Sequence, residues 1–204
     1  MSRIAPLTAP YESDEIETLV RSFMPAGADG IEPLALFRVL AVHPELCSRM
    51  RPLGAGILAH GLIEPREREI VIHRACALAG AGYEWAVHAA WFGPRVGLSD
   101  AQLEATASGR PDDPAWSEGE ALLIAFVDQL HRACTVSDEL WAALAARYSP
   151  AQLLELLITA GWYRLLAYVI NACEVPEEPW AAPMPAAAGP AGRRASGREK
   201  RAHR

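Results

Sequence analysis

Glu84 and His88 stand four residues apart in the segment GYEWAVHAAW, which reads as a helix, so the two side chains share one face. A carboxylate beside an imidazole on an apolar helix is a candidate acid–base pair, because desolvation and the partner's charge together tune both groups. Trp85 and Trp91 flank the pair with bulky aromatic surface, and Trp85 is a candidate substrate contact. Glu69 lies one helix earlier, just before an apolar run, where it can face the same pocket across the Gly80–Gly82 turn. His73, four residues after Glu69, is either a further substrate contact or a histidine of the core or surface. Spacing alone does not separate catalysis from a structural Glu–His pair. The two histidines and two glutamates match no standard metal motif, and no metal is expected.

Other chemistries are excluded by what the chain lacks. Cys47, Cys76, Cys134 and Cys173 form no C-x-x-C pair and lie in apolar helical contexts, where a free cysteine behaves as a small hydrophobe. Thiol redox cycling needs an attacking thiolate and a resolving partner, so it is not expected. Lys200 is the only lysine, which removes Schiff-base chemistry from the folded part. Gly54-Ala55-Gly56 sits inside a helical pattern and is no dinucleotide loop. No cofactor is expected.

The elements that must position these residues read as helices. Breakers and caps divide the chain into helices at Tyr11–Met24, Pro33–Val42, Pro44 to about His60, Pro65–Leu78 and Tyr83–Trp91. Three capping boxes follow, Ser99 with Gln102, Ser117 with Glu120 and Ser149 with Gln152. Ser137 starts a helix without a box. The helix from Ser149 to about Cys173 is apolar on nearly every face, with Glu155 and Arg164 as interruptions, and is expected in the core, in a subunit interface or in both. A buried Arg164 needs a partner: a substrate carboxylate, or a structural or intersubunit salt bridge, which is the better fit. His60 and His131 fall near helix ends, where capping explains them. No stretch alternates with a period of two, so no strands are expected.

Composition bounds the rest. Of 204 residues, 51% are apolar and 22% charged, which suits one globular domain. The net charge of −6 is uneven: from Ala181 on the chain is Pro/Ala/Gly-rich, then basic, at +5, and the body is −11. An acidic body argues against a nucleic-acid-binding domain, and no nucleic acid is expected as partner, although the basic tail could touch nucleic acid or an acidic partner. We expect a helical domain over 1–180 and a disordered basic tail over 181–204. The N-terminal residues lack the apolar core of a signal peptide and no membrane span is expected, so the protein is expected in the cytoplasm.

The motif helix Arg66-Glu67-Arg68-Glu69-Ile70-Val71-Ile72-His73-Arg74, followed by Gly82-Tyr83-Glu84-Trp85-Ala86-Val87-His88, resembles the signature of the carboxymuconolactone decarboxylase-like / alkyl hydroperoxidase D-like superfamily. His43-Pro44-Glu45-Leu46, Val96-Gly97-Leu98-Ser99, Val136 to Trp141, Gly161-Trp162-Tyr163-Arg164 and Asn171 to Pro176 resemble further family landmarks, in order, over roughly 33–180. The resemblance implies an all-α, alkyl hydroperoxidase D-like helical bundle that assembles as a homo-oligomer, a trimer or a multiple of one. In the peroxidase branch, the Glu and His of the thiol site match Glu69 and His88, but the two Cys positions are Ala81 and Glu84 here. The decarboxylase branch implies instead a Glu/His site that moves protons on a small carboxylated lactone. Many relatives carry Cys-Glu where this chain has Ala81-Gly82, which leaves the substrate open.

The resulting expectation is a cofactor-independent lyase or isomerase acting on a small carboxylate, lactone or carbonyl compound. His88, paired with Glu84, delivers or removes a proton, and Glu69 orients substrate or a water. A peroxidase-related reductase and a non-catalytic ligand-binding or assembly protein are the alternatives.

Overall fold

The computed structural model describes residues 2–185 apart from positions 26 and 29. Among them are nine α-helices and no strand: α1 (Asp14–Arg21), α2 (Ala35–Leu40), α3 (Pro44–Ala59), α4 (Pro65–Leu78), α5 (Gly82–Trp91), α6 (Asp100–Ser108), α7 (Glu118–Ala133), α8 (Asp138–Ala145) and α9 (Pro150–Cys173). The three capping boxes form, each with the Ser hydroxyl accepting from the third helical N–H. α1 is shorter than expected because Ser13 caps it, its hydroxyl accepting from Ile16 N.

The centre of the bundle is α4. Every residue from Arg68 to Cys76 is buried, and α5, α6, α7 and α9 pack around it. Its charged residues are therefore internal. Arg74 makes a two-pronged ion pair with Asp128 of α7, at 2.6 and 3.1 Å, and donates to the Thr106 carbonyl.

α9, by length and composition apolar enough to cross a membrane, has half of its most apolar stretch buried inside this fold. One face carries Leu153, Leu156, Ala160, Tyr163, Leu166 and Ile170 into the core; the other leaves Leu154, Ile158, Leu165 and Tyr168 exposed. Both interruptions have local jobs. The Glu155 carboxylate accepts the N–H groups of Leu62 and Ile63 and so fixes the turn that launches α4. A side chain at Gly61 would strike this carboxylate.

Between α4 and α5 the chain reverses in a few residues. Gly80 adopts φ +66°, a left-handed conformation open to glycine, while Gly80 N–H and Ala81 N–H bond back to the Ala77 and Cys76 carbonyls. This reversal lays α5 against α4, so that residues 69 and 88 meet.

After α9, residues 174–185 run back over the bundle as a strap. Glu178 is buried and accepts from Ala35 N at the start of α2 (2.7 Å) and from the Tyr83 hydroxyl (2.6 Å). Ala181 and Met184 pack on the core, so the expected boundary at 180 falls inside a packed segment. The expectation for the basic tail lies, from residue 186 on, outside the described residues.

Candidate active site

Two i,i+4 pairs face one another, Glu69 with His73 on α4 and Glu84 with His88 on α5. His88 lies between two carboxylates. Its Nδ1 is 2.8 Å from Glu69 Oε2 and its Nε2 is 3.5 Å from Glu84 Oε1. Phe92 stacks on the imidazole at 4.8 Å between centroids, and Tyr163 meets it edge-on at 5.1 Å. The ring is thus fixed by packing as well as by charge.

Burial by itself would push the His88 imidazole down. The Glu69 carboxylate at Nδ1 and then Glu84 at Nε2 overcome it and hold the group up at about 9. At neutral pH His88 is an imidazolium. His73 goes the other way: full burial outweighs the nearby Glu69 carboxylate, His88 opposes a second positive charge, and the ring is held down at about 4. Its Nδ1 donates to the Glu69 carbonyl at 2.7 Å, the geometry of a neutral ring fixed in one tautomer. Glu69 Oε1, His73 Nε2 and Glu84 Oε2 are buried with no hydrogen-bond partner among the described residues.

Glu84 and His88 open onto a cavity of about 370 Å³. Its walls come from the chain between α1 and α2, from α2, α3, α5 and α9, and from Trp180 of the strap. Aliphatic side chains share the lining with the aromatic rings of Phe23, Phe37, Trp91, Phe92, Trp162 and Trp180, with Tyr163 beside His88. Gly54 of α3 lets Trp162 approach, since a side chain there would meet its ring at 3.0 Å. Trp180 lies edge-to-face on Trp91, 6.5 Å between centroids.

Several expectations are corrected by this geometry. Glu69 is fully buried behind His88 and does not line the cavity, so it meets the imidazole and not the cavity space where it was expected to meet substrate. His73 lies in the same buried layer, away from the cavity wall. Trp85 points to the other side of α5, where its indole N–H donates to Thr106 Oγ1 at 2.9 Å. Arg164 is not at the cavity either: it contacts His131 of α7 and the Tyr168 hydroxyl, which also gives His131 a role other than capping. Helical spacing states which residues share a face but not which neighbour that face meets. Conversely, the sequence reading gave Trp162 and Tyr163 only as landmarks of the resemblance, not as site residues, and passed over Phe92 and Trp180. The available signal was a pair of large aromatics, Trp162-Tyr163, in a helix where Leu or Ala would have filled the core.

The cysteines lie apart from one another and are all free. Cys76 is fully buried near the site. Burial first, then the Glu84 and Glu69 carboxylates, hold its thiol well above the ordinary value, so it is no thiolate nucleophile.

No protein-family model matches the sequence, and neither does any curated protein. Solved structures do match. A peroxidase-related protein from Silicibacter superposes with a TM-score of 0.72 at 12% identity, covering 86% of this chain and 93% of that one. The chain has the alkyl hydroperoxidase D-like fold. A protein of unknown function from Agrobacterium tumefaciens, linked by name to the antioxidant defence protein AhpD, shares the fold at a TM-score of 0.62 and 18% identity, over 68% of this chain and 95% of that one. A variant of the debrominase Bmp8 in complex with 2,3,4-tribromopyrrole does so at 0.72 and 16% identity, over 88% and 94%. The alkyl hydroperoxidase D-like fold thus hosts enzymes as well as proteins without an assigned activity, and identities this low carry the fold alone.

Proposed function

We propose that this protein is an enzyme that moves a proton on a small organic molecule without a bound cofactor, by acid–base chemistry at Glu84 and His88. The observation that carries the reading is a histidine ring held between two carboxylates at the wall of an apolar cavity. In this scheme the Glu84 carboxylate takes a proton from carbon or oxygen of the substrate. His88 donates a hydrogen bond, then a proton, through Nε2 to the oxygen on which negative charge develops. Glu69 holds the imidazole through Nδ1 and stabilises its charged form, acting through His88 and not on the substrate. Decarboxylation, isomerisation, dehydration and ring closure of a lactone or other carbonyl compound share this step.

Two further facts support an active site over a structural pair. Three buried polar atoms without a protein partner, on Glu69, His73 and Glu84, lie together in this cluster, and Glu84 lines the cavity, where a ligand can reach it. One protein of the same fold is a debrominase that holds a flat ring compound. For thiol peroxidase chemistry, this chain has Ala81 and Glu84 where the cysteines of that branch would stand. The exposed apolar stripe of α9 supports a homo-oligomer, the assembly that the resemblance implies.

The test does not require the natural substrate. A panel of lactones and carbonyl compounds is incubated in D2O and followed by NMR for exchange at the carbon next to the carbonyl. Exchange by the wild-type protein, reduced by about two to four powers of ten in His88→Ala with fold and assembly intact, is the expected result. Undiminished exchange in both His88→Ala and Glu84→Gln would overturn the reading.

A further inference from the structure

The cavity is more selective than the class of small carbonyl compounds. Three properties narrow it. The first is size. An engineered cavity of about 150 Å³ in another protein holds benzene, so about 370 Å³ has room for a two-ring molecule. The second is shape. Trp91, Trp162, Trp180 and Phe92 line that volume, and aromatic walls favour planar rings.

The third is charge. At the inner wall two carboxylates, Glu69 and Glu84, surround one imidazolium, and His73 behind them is neutral. Of these groups Glu84 and His88 line the cavity; Arg68, the buried cation of α4, does not line it, though its charge acts on Tyr163. Arg51, the cation of the wall, is shared with an open groove on the surface, and its Nε already donates to the Ser22 carbonyl at 3.1 Å. It belongs to the rim. In apolar surroundings an uncompensated anion beside Glu84 is disfavoured by Coulomb repulsion as well as by its own desolvation. The Glu84 carboxylate has acceptor capacity to spare: its Oε1 makes one long contact with His88 and its Oε2 makes none. A ligand group that meets it favourably is a donor.

We propose that the site takes a neutral, planar molecule of about two rings that presents an O–H or N–H donor to Glu84, and that it rejects the corresponding carboxylate. This rests on the acid–base reading for which wall of the cavity is the working end, and it narrows the ligand class to weakly acidic, uncharged ring compounds such as enols of cyclic carbonyl compounds, phenols and N-heterocycles.

Isothermal titration calorimetry on the full chain tests it with three probes of one shape: 2-naphthol, 2-naphthoate and naphthalene. We expect 2-naphthol to bind tightest, at least about tenfold tighter than either of the others. Glu84→Gln, which keeps the shape and removes the charge, is expected to weaken 2-naphthol and to narrow its lead over 2-naphthoate. Equal or tighter binding of 2-naphthoate, or of naphthalene, overturns the proposal. That ranking is read on the wild-type protein, so it stands even if the variant fails to fold. The readout is binding without turnover, which separates the two readings. The expected order of affinities with no exchange chemistry retains the ligand class and loses the enzyme. His88-dependent exchange on a carboxylate that binds better than its neutral analogue does the reverse.

Discussion

Replacing Glu69 by Gln isolates the charge that keeps His88 protonated. The amide oxygen can still accept from Nδ1–H, so the 2.8 Å hydrogen bond and the packing survive, while the leading contribution that raises the imidazole is removed. Burial, which acts downward, remains. A return from about 9 to the ordinary 6.5 is the case in which Glu84 alone balances burial. At about pH 8 its protonated fraction then falls about 30-fold. Glu84 still faces Nε2 at 3.5 Å, so the size of the fall measures how far it can support the charge without Glu69. The assay is a pH titration of the six histidines by imidazole NMR, with His88 assigned from its loss in His88→Ala. In the exchange assay the same variant should lose activity at about pH 8 and regain much of it as pH is lowered, a rescue that a merely misfolded protein would not show. An unchanged His88 midpoint in Glu69→Gln, or a neutral His88 at about pH 7 in the wild type, would refute the charge argument.

Stability should peak near pH 6.5. His73, held down at about 4, makes the native state lose ground as pH falls from 6.5 towards 4, because the unfolded chain takes up a proton the core refuses, an effect of about 3 kcal/mol. His88 has the opposite sign, its contribution being complete below 6.5 and lost as pH rises through about 9; denaturant melts across this range would show both limbs, and a flat or monotonic profile would contradict them. Changing all four cysteines to Ser or Ala should leave exchange activity within about twofold, at some cost in stability where Cys47 and Cys76 are buried. Loss of turnover in folded Cys76→Ala would contradict the thiol-independent chemistry. Glu in place of both Ile158 and Tyr168, which are 50% and 63% exposed on α9, should dissociate the oligomer on light scattering. A wild-type protein that is already monomeric would refute that assembly.

Much of the architecture is determined locally and was therefore legible in the sequence. A serine three residues before Gln or Glu fixes a helix start wherever it occurs, and Ser99, Ser117 and Ser149 each do so. A four-residue spacing puts Glu84 and His88 on one face of any helix, and the short reversal at Gly80 returns α5 to α4. The absence of a vicinal thiol pair is a property of composition. What the tertiary structure decided is which way each face looks. α9, apolar all round by sequence, shares its surface between core and exterior, whereas α4, with Arg68, Glu69, His73 and Arg74, is the helix buried along its length. The reason is that charge is excluded from a core only when unpaired, and the partners of Arg74 and Glu69 lie 54 and 19 residues away. The same long-range pairing set Glu69 behind His88 instead of beside the substrate, turned Trp85 towards Thr106, and brought Trp162, Tyr163 and Trp180 to a cavity that no local spacing announces.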